Sequence, residues 1–289
     1  MTGCPEGLLL ALSFIYNNLL ICYNLVLMST RYPIETPLAI ITGTHSAGKS
    51  TLLSDLEQGK LNDLGVYDEE YTDFGYGVID SPTGKRALVT IPETARWYAG
   101  LYDRPDLLAE NYNLDFQLSI DSLVIFRAHA ATALSQAVKN KLIERGELPD
   151  ASILEPIVVS DRGPLDGIIY SEARILDRDT NIVNGSPRTG FHTEWLKSFV
   201  DLVIIADHKD IASEADAARL DDDALRQKIG ESTVRNYTQF MPEGMVHIVS
   251  GDQEARKAEV KKLLAPLTYD ERITRKALAY EKWKNVKIA

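Results

Sequence analysis

Gly43-Thr44-His45-Ser46-Ala47-Gly48-Lys49-Ser50-Thr51 is a complete GxxxxGK[ST] string. The apolar run Leu38-Ala39-Ile40-Ile41 precedes it, and the helix-like Thr51-Leu52-Leu53-Ser54-Asp55-Leu56 follows. The two glycines permit a wide turn whose successive backbone N–H groups point inward at an anion. The helix behind the turn adds its positive N-terminal end. Lys49 can neutralise β/γ-phosphate charge, and the Ser50 hydroxyl can ligate Mg²⁺. Strand, loop and helix in that order are the setting the motif requires. Residues Gly43, Thr44, His45, Ser46, Ala47, Gly48, Lys49, Ser50 and Thr51 are therefore read as a nucleoside-triphosphate loop.

The rest of the chain alternates strands with helices. Beyond Asn62-Asp63-Leu64-Gly65, the turn Ser81-Pro82-Thr83-Gly84-Lys85 leads into the alternating run Ala87-Leu88-Val89-Thr90-Ile91, which predicts a hairpin insertion at about 67–90 feeding a second core strand. Leu114, Leu118, Leu123, Phe126, Leu134, Val138 and Leu142 recur at helical spacing and predict one long helix over 113–144, closed by Gly146 and Pro149. Further strands are expected at Ile157-Val158-Val159, Leu202–Ile205 and Val246–Val249, and helices from Pro164, from about Asp221 and over 252–264. Arg178 to Gly190 is polar and punctuated by Gly and Pro, so it reads as a surface loop. This order implies an α/β three-layer sandwich with a five-stranded parallel sheet and helices on both faces. A ligand belongs at the carboxyl ends of the strands, where Gly43, Glu93 and Asp161 all fall.

Asp161 closes an apolar strand, as a Walker B carboxylate does, and can hold Mg²⁺ through water, so Ser50 and Asp161 are the candidate metal pair. The next residue is Arg162, where motor ATPases usually carry a water-activating Glu. An Arg beside the metal carboxylate suits phosphoryl transfer. Glu93, at the end of the second strand, can face the γ-phosphate and accept a proton from a substrate hydroxyl, while Arg96 one turn on can clamp a phosphate. The plainer alternative for Glu93 is a helix N-terminal carboxylate favoured by the dipole. Asn140-Lys141-Leu142-Ile143 lacks the Asp of a GTP base reader, so specificity for GTP is not supported.

The loop from Ile41 to Leu52, Pro92-Glu93-Thr94-Ala95-Arg96 and Val159-Ser160-Asp161-Arg162-Gly163-Pro164-Leu165-Asp166 together resemble the NadR-like P-loop family, which includes nicotinamide riboside kinases. The resemblance covers roughly residues 38–265 and continues in Asp216-Ala217-Ala218-Arg219-Leu220-Asp221-Asp222. It implies a P-loop NTPase of the kinase type, thymidylate-kinase-like, with the Walker A and Walker B strands adjacent. It also makes Arg219 a catalytic lid arginine, beside Lys49, Glu93, Asp161 and Arg162. Phe116-Gln117 is similar to deoxynucleoside kinases, where a Gln contacts the substrate base; this sets Gln117 beside Glu93 and Arg96 as a substrate candidate, a solvated helical Gln being the alternative. ATP and Mg²⁺ are the implied cofactors and a nucleoside-like small molecule the implied substrate. The other class is a nucleotide-dependent switch or ATPase acting through protein partners.

Composition narrows the partners. A net charge of −11 and a pI near 5.0 argue against an electrostatic grip on nucleic acid. Both cysteines, Cys4 and Cys22, lie in the first 22 residues, so no cysteine metal site or disulfide framework lies beyond them. Residues 1–27 form an apolar extension interrupted by Asn17, Asn18 and Asn24, with no Lys or Arg before Arg31. Three readings stand: an over-extended start with Met28 as initiator, a membrane anchor, and an extra packed helix. The missing basic flank favours the first, and with it a cytoplasmic protein. The P-loop ATPase/kinase domain then spans 28–266. Residues 267–289 form a basic helical tail that can dock an acidic protein partner, a solvated capping helix being the default.

Overall fold

The computed structural model describes residues 36–44, 47–66, 73–101, 114–149, 154–175, 187–207 and 223–268. Strand β1 (Leu38–Thr42) runs into the glycine-rich loop and helix α1 (Lys49–Ser54). A short strand β2 (Gly59–Lys60) and a 3₁₀ turn precede the hairpin of β3 (Gly75–Ser81) and β4 (Gly84–Ile91). Helices α2 (Thr94–Leu101) and α3 (Leu114–Glu144) follow, then β5 (Ile157–Asp161). Helix α4 (Asp166–Tyr170) continues as a π turn through Ser171–Ile175. The last elements are α5 (Pro187–Phe199), β6 (Leu202–Ala206), α6 (Asp223–Phe240), β7 (Val246–Val249) and α7 (Gln253–Leu264).

The sheet order is β2-β3-β4-β5-β1-β6-β7. It is a mixed sheet of seven strands, which corrects the expectation of five parallel strands. β4, β5, β1, β6 and β7 do run parallel, but β3 pairs antiparallel with β4 and β2 antiparallel with β3. The physical reason lies in β4, which is both second arm of the hairpin and core strand, so the hairpin extends the sheet rather than standing apart from it. The β1 and β5 strands are neighbours, with Ile41 opposite Asp161.

Alternation along the strands sorts the core into two apolar layers. Leu38, Ile40, Val89, Ile91, Val158 and Val203 turn toward α3, α4, α5 and α6. Ala39, Ile41, Leu88, Ile157, Val159 and Ile204 turn the other way, toward α1 and α7. Strands buried on both faces read as continuous apolar runs, which is how Leu38–Ile41 and Leu202–Ile205 look in the sequence. The long helix appears as expected. Pro187 to Gly190 do not belong to a loop: they form the first turn of α5, where proline at the first helical position costs no hydrogen bond. The rest of that expected loop lies outside the described residues.

Arg86, fully buried on β4, donates to the Glu155 carbonyl at 3.0 and 2.9 Å and to the carbonyls of Ala265 and Leu267. Burial pulls its pKa down to about 10, against the opposing pull of Glu155. It remains charged at neutral pH and pins the end of α7 to the sheet. Among the described residues no helix is long and apolar enough to cross a membrane. Residues 1–27 and 269–289 lie outside them.

Candidate functional site

Parallel register brings three strand ends to one edge. Ile41 lies opposite Asp161 and Ile91 opposite Ser160, so the segments leaving β1, β4 and β5 emerge side by side. Gly43 leaves β1 with φ 137°, and a Cβ there would sit 2.7 Å from the Ala206 carbonyl oxygen at the end of β6. Only glycine fits both the backbone and the space. Gly48, at φ 74°, turns the chain into α1. Lys49 is buried, and its Nζ donates to the Thr44 carbonyl at 2.5 Å. His45 and Ser46 lie outside the described residues, while Thr51 sits exposed on α1.

The Ser50 hydroxyl donates to Asp161 Oδ2 at 2.8 Å. Asp161 is fully buried, and its Oδ1 has no hydrogen-bond partner among the described residues. Burial raises the Asp161 pKa, with Glu93 adding to the rise and Lys49, Arg162 and Ser50 opposing it. A buried carboxylate with an unused oxygen, next to a hydroxyl on the glycine-rich loop, fits a hard divalent cation held partly through water. Among the described residues no group of three His, Cys, Asp or Glu gathers to hold a metal ion, here or elsewhere. Such spare protein ligation suits Mg²⁺, which keeps several waters and takes further oxygens from phosphates.

Arg162 follows at φ 91°, an uncommon backbone state for a residue with a side chain. Several bonds hold it there. Its N–H donates to Ile41 and its carbonyl accepts from Ser160 Oγ at 3.0 Å. One guanidinium nitrogen, Nη1, donates to the Gly43 carbonyl at 2.8 Å and to the Tyr170 hydroxyl at 2.9 Å; Nη2 reaches Glu93 Oε1 at 3.4 Å. The Arg162 guanidinium also lies 4.7 Å from the centre of the Tyr170 ring. Glu93 in turn accepts from Arg96 Nε at 3.0 Å, and the Arg96 side chain is 47% exposed. Arg96 thus reaches Glu93 and is partly open to solvent. Gln117 is on α3, but its side chain, like Arg219, lies outside what the structure describes.

A small open cleft adjoins this group, walled by Glu93, Asp121, Arg162, Asp166 and Tyr170, with Ala95, Ile120 and Val124 as its apolar side. Asp166 accepts from Thr42 Oγ1 at 2.5 Å and from the Gly163 N–H at 2.8 Å, tying the end of β1 to the turn after β5. Burial raises its pKa, against Arg162 and the two bonds it accepts. Sequence reasoning assigned Asp166 no role, although it closes the quoted Asp161–Asp166 segment. It missed Asp121 and Tyr170 altogether: both sit on apolar helices, and only packing turns them to one cleft.

No protein-family model matches the chain, and no curated protein matches it. Solved structures do. One of them is NadR protein in complex with NR, 15% identical, with a TM-score of 0.46, covering 81% of this chain and 52% of that one. The chain thus spans about half the length of that protein.

Proposed function

We propose that the chain binds ATP with Mg²⁺ and transfers the γ-phosphoryl group to a hydroxyl of a nucleoside-like small molecule. The observation that carries this reading is the Ser50–Asp161 pair at 2.8 Å, next in the chain to the Arg162–Glu93 pair at 3.4 Å whose two residues line the cleft. Ser50 and Asp161 would hold Mg²⁺, which when bound supplies positive charge at the phosphate oxygens. The loop N–H groups and Lys49 cradle the β- and γ-phosphates. An acceptor in the cleft presents its hydroxyl toward Glu93. The new O–P bond forms as the bond from the γ-phosphorus to the β,γ-bridging oxygen breaks. The hydroxyl proton passes to Glu93, and ADP leaves carrying the bridging oxygen. Arg162 orients Glu93 and adds charge where it builds up in the transition state. Arg219 is proposed to come from a segment that closes over the phosphates.

The test is ADP release across a panel of nucleosides that includes nicotinamide riboside, for wild type and Glu93→Gln. Acceptor-stimulated release that falls about 10²- to 10⁴-fold in the mutant, with ATP binding retained, is the expected result. If no acceptor stimulates the wild type and Glu93→Gln hydrolyses ATP equally well, the switch reading replaces the kinase reading.

A further inference from the structure

A loop that aims its N–H groups at an anion must turn carbonyls elsewhere, and each buried carbonyl needs a donor. Among the described residues, three carbonyls of this loop accept from cations. Gly43 accepts from Arg162 at 2.8 Å, Thr44 from Lys49 at 2.5 Å, and Ala47 from Arg256 Nη1 at 3.1 Å. Lys49 and Arg162 already belong to the proposed chemistry. Arg256 belongs to no motif and lies 209 residues from Ala47 in the chain.

Arg256 is on α7 and fully buried. Its Nε donates to the Gly251 carbonyl at 2.7 Å, so one guanidinium bridges the glycine-rich loop to the turn between β7 and α7. That turn is built to hold its place. Gly251 has φ 95°, and Asp252 caps α7 by accepting from the Ala255 N–H at 2.9 Å. The Gln253 amide donates to Asp55 Oδ2 at 2.7 Å, just past the end of α1. Helix α7 therefore grips the loop–helix unit at both ends, with Arg256 at its head and Gln253 at its foot. A planar fork is needed at the head, since two carbonyls are served from two nitrogens of one rigid group.

We infer that Arg256 is a positioning residue for phosphate recognition: by capturing the Ala47 carbonyl it keeps the loop's N–H groups aimed at the anion and so sets affinity for the polyphosphate part of the nucleotide. The inference rests on the reading of the loop as an ATP site and extends it to a residue outside the motif.

The experiment measures competition by ATP–Mg²⁺ and by AMP for a fluorescent ATP analogue on wild type, Arg256→Lys and Arg256→Met. The expected result is that wild type prefers ATP, and that Arg256→Met loses ATP affinity by at least about tenfold with AMP affinity unchanged. Arg256→Lys should recover part of the loss, since it restores the charge without the fork. Equal weakening of ATP and AMP would show a role in the fold alone and overturn the inference. So would unchanged ATP affinity in a folded Arg256→Met protein. If Arg256→Met does not fold, Arg256→Lys decides: selective loss of ATP upholds the inference, and wild-type affinity overturns it. A wild type that fails to prefer ATP over AMP sinks the nucleotide reading and this inference with it, whereas failure in the variants alone leaves that reading standing.

Discussion

Lys49 and Asp161 are both buried, one a cation on the loop and the other a carboxylate at the end of β5, and the charge of Lys49 opposes the rise of the Asp161 pKa. Lys49→Ala removes the cation that the loop motif itself supplies, and should weaken ATP–Mg²⁺ binding by about a hundredfold or more while the protein stays folded. Calorimetry showing wild-type affinity in a folded mutant would contradict the assignment. Asp161 carries a different consequence. Because burial raises its pKa in the folded state, the folded chain holds more protons than the unfolded one between the two pKa values. Stability therefore falls as pH rises through that window and returns as pH falls back. Asp161→Asn removes the buried charge at constant shape. It should raise the unfolding midpoint of the nucleotide-free protein at neutral pH by roughly 2–4 °C, the shift about 1 kcal/mol produces in a domain this size. That advantage should vanish at acid pH, where wild-type Asp161 is itself protonated, and Mg²⁺-dependent tightening of ATP binding should be lost at every pH. A lower midpoint in Asp161→Asn at neutral pH would mean that the carboxylate contributes more to the fold than its burial costs.

At the scale of elements, the hairpin was legible in part. Ser81-Pro82-Thr83-Gly84-Lys85 is a turn signal between alternating runs, and the turn falls between β3 and β4 as read. What local pattern could not show is the crossing beneath it. The chain leaving α1 passes so close to β3 that a Cβ on Gly77 would lie 2.1 Å from the Leu56 carbonyl oxygen. Gly77→Ala should therefore destabilise the protein by about 1–3 kcal/mol, the usual cost of forcing atoms into a filled space. Thermal unfolding checks this, and an unchanged midpoint would show that the crossing has slack. Arg127 is the second hidden element-scale device. Buried on α3, it lies 4.9 Å from the Phe74 ring centre and 4.5 Å from Trp97, pairs with Asp73, and donates to the Pro92 carbonyl at 3.3 Å. It fixes the segment that carries Glu93 to the hairpin.

For the whole molecule, the nearness of β1, β4 and β5 is what turns separate residues into a site. Glu93 and Arg162 are 69 positions apart in the chain, and Ser50 and Asp161 are 111 apart. Residues 1–35 lie outside the described residues, and Met28 is eight positions before Thr36, the first that is described. A chain begun at Met28 should be soluble and bind ATP as the full chain does. Aggregation or loss of ATP binding in the shorter chain would mean that residues 1–27 pack against the body.

Local chemistry was enough to read the glycine-rich loop, the double-faced apolar strands, the long helix and the strand-end carboxylates, because each is written within a dozen neighbouring residues as a spacing or a periodicity. The seven-stranded mixed sheet, the cleft wall of Asp121, Asp166 and Tyr170, and the hold of Arg256 on Ala47 were decided only by tertiary structure. Each depends on which strand lies beside which and on how far apart two backbones pass. Those are properties of the packed sheet, and a buried polar group announces its partner only when packing has removed every alternative.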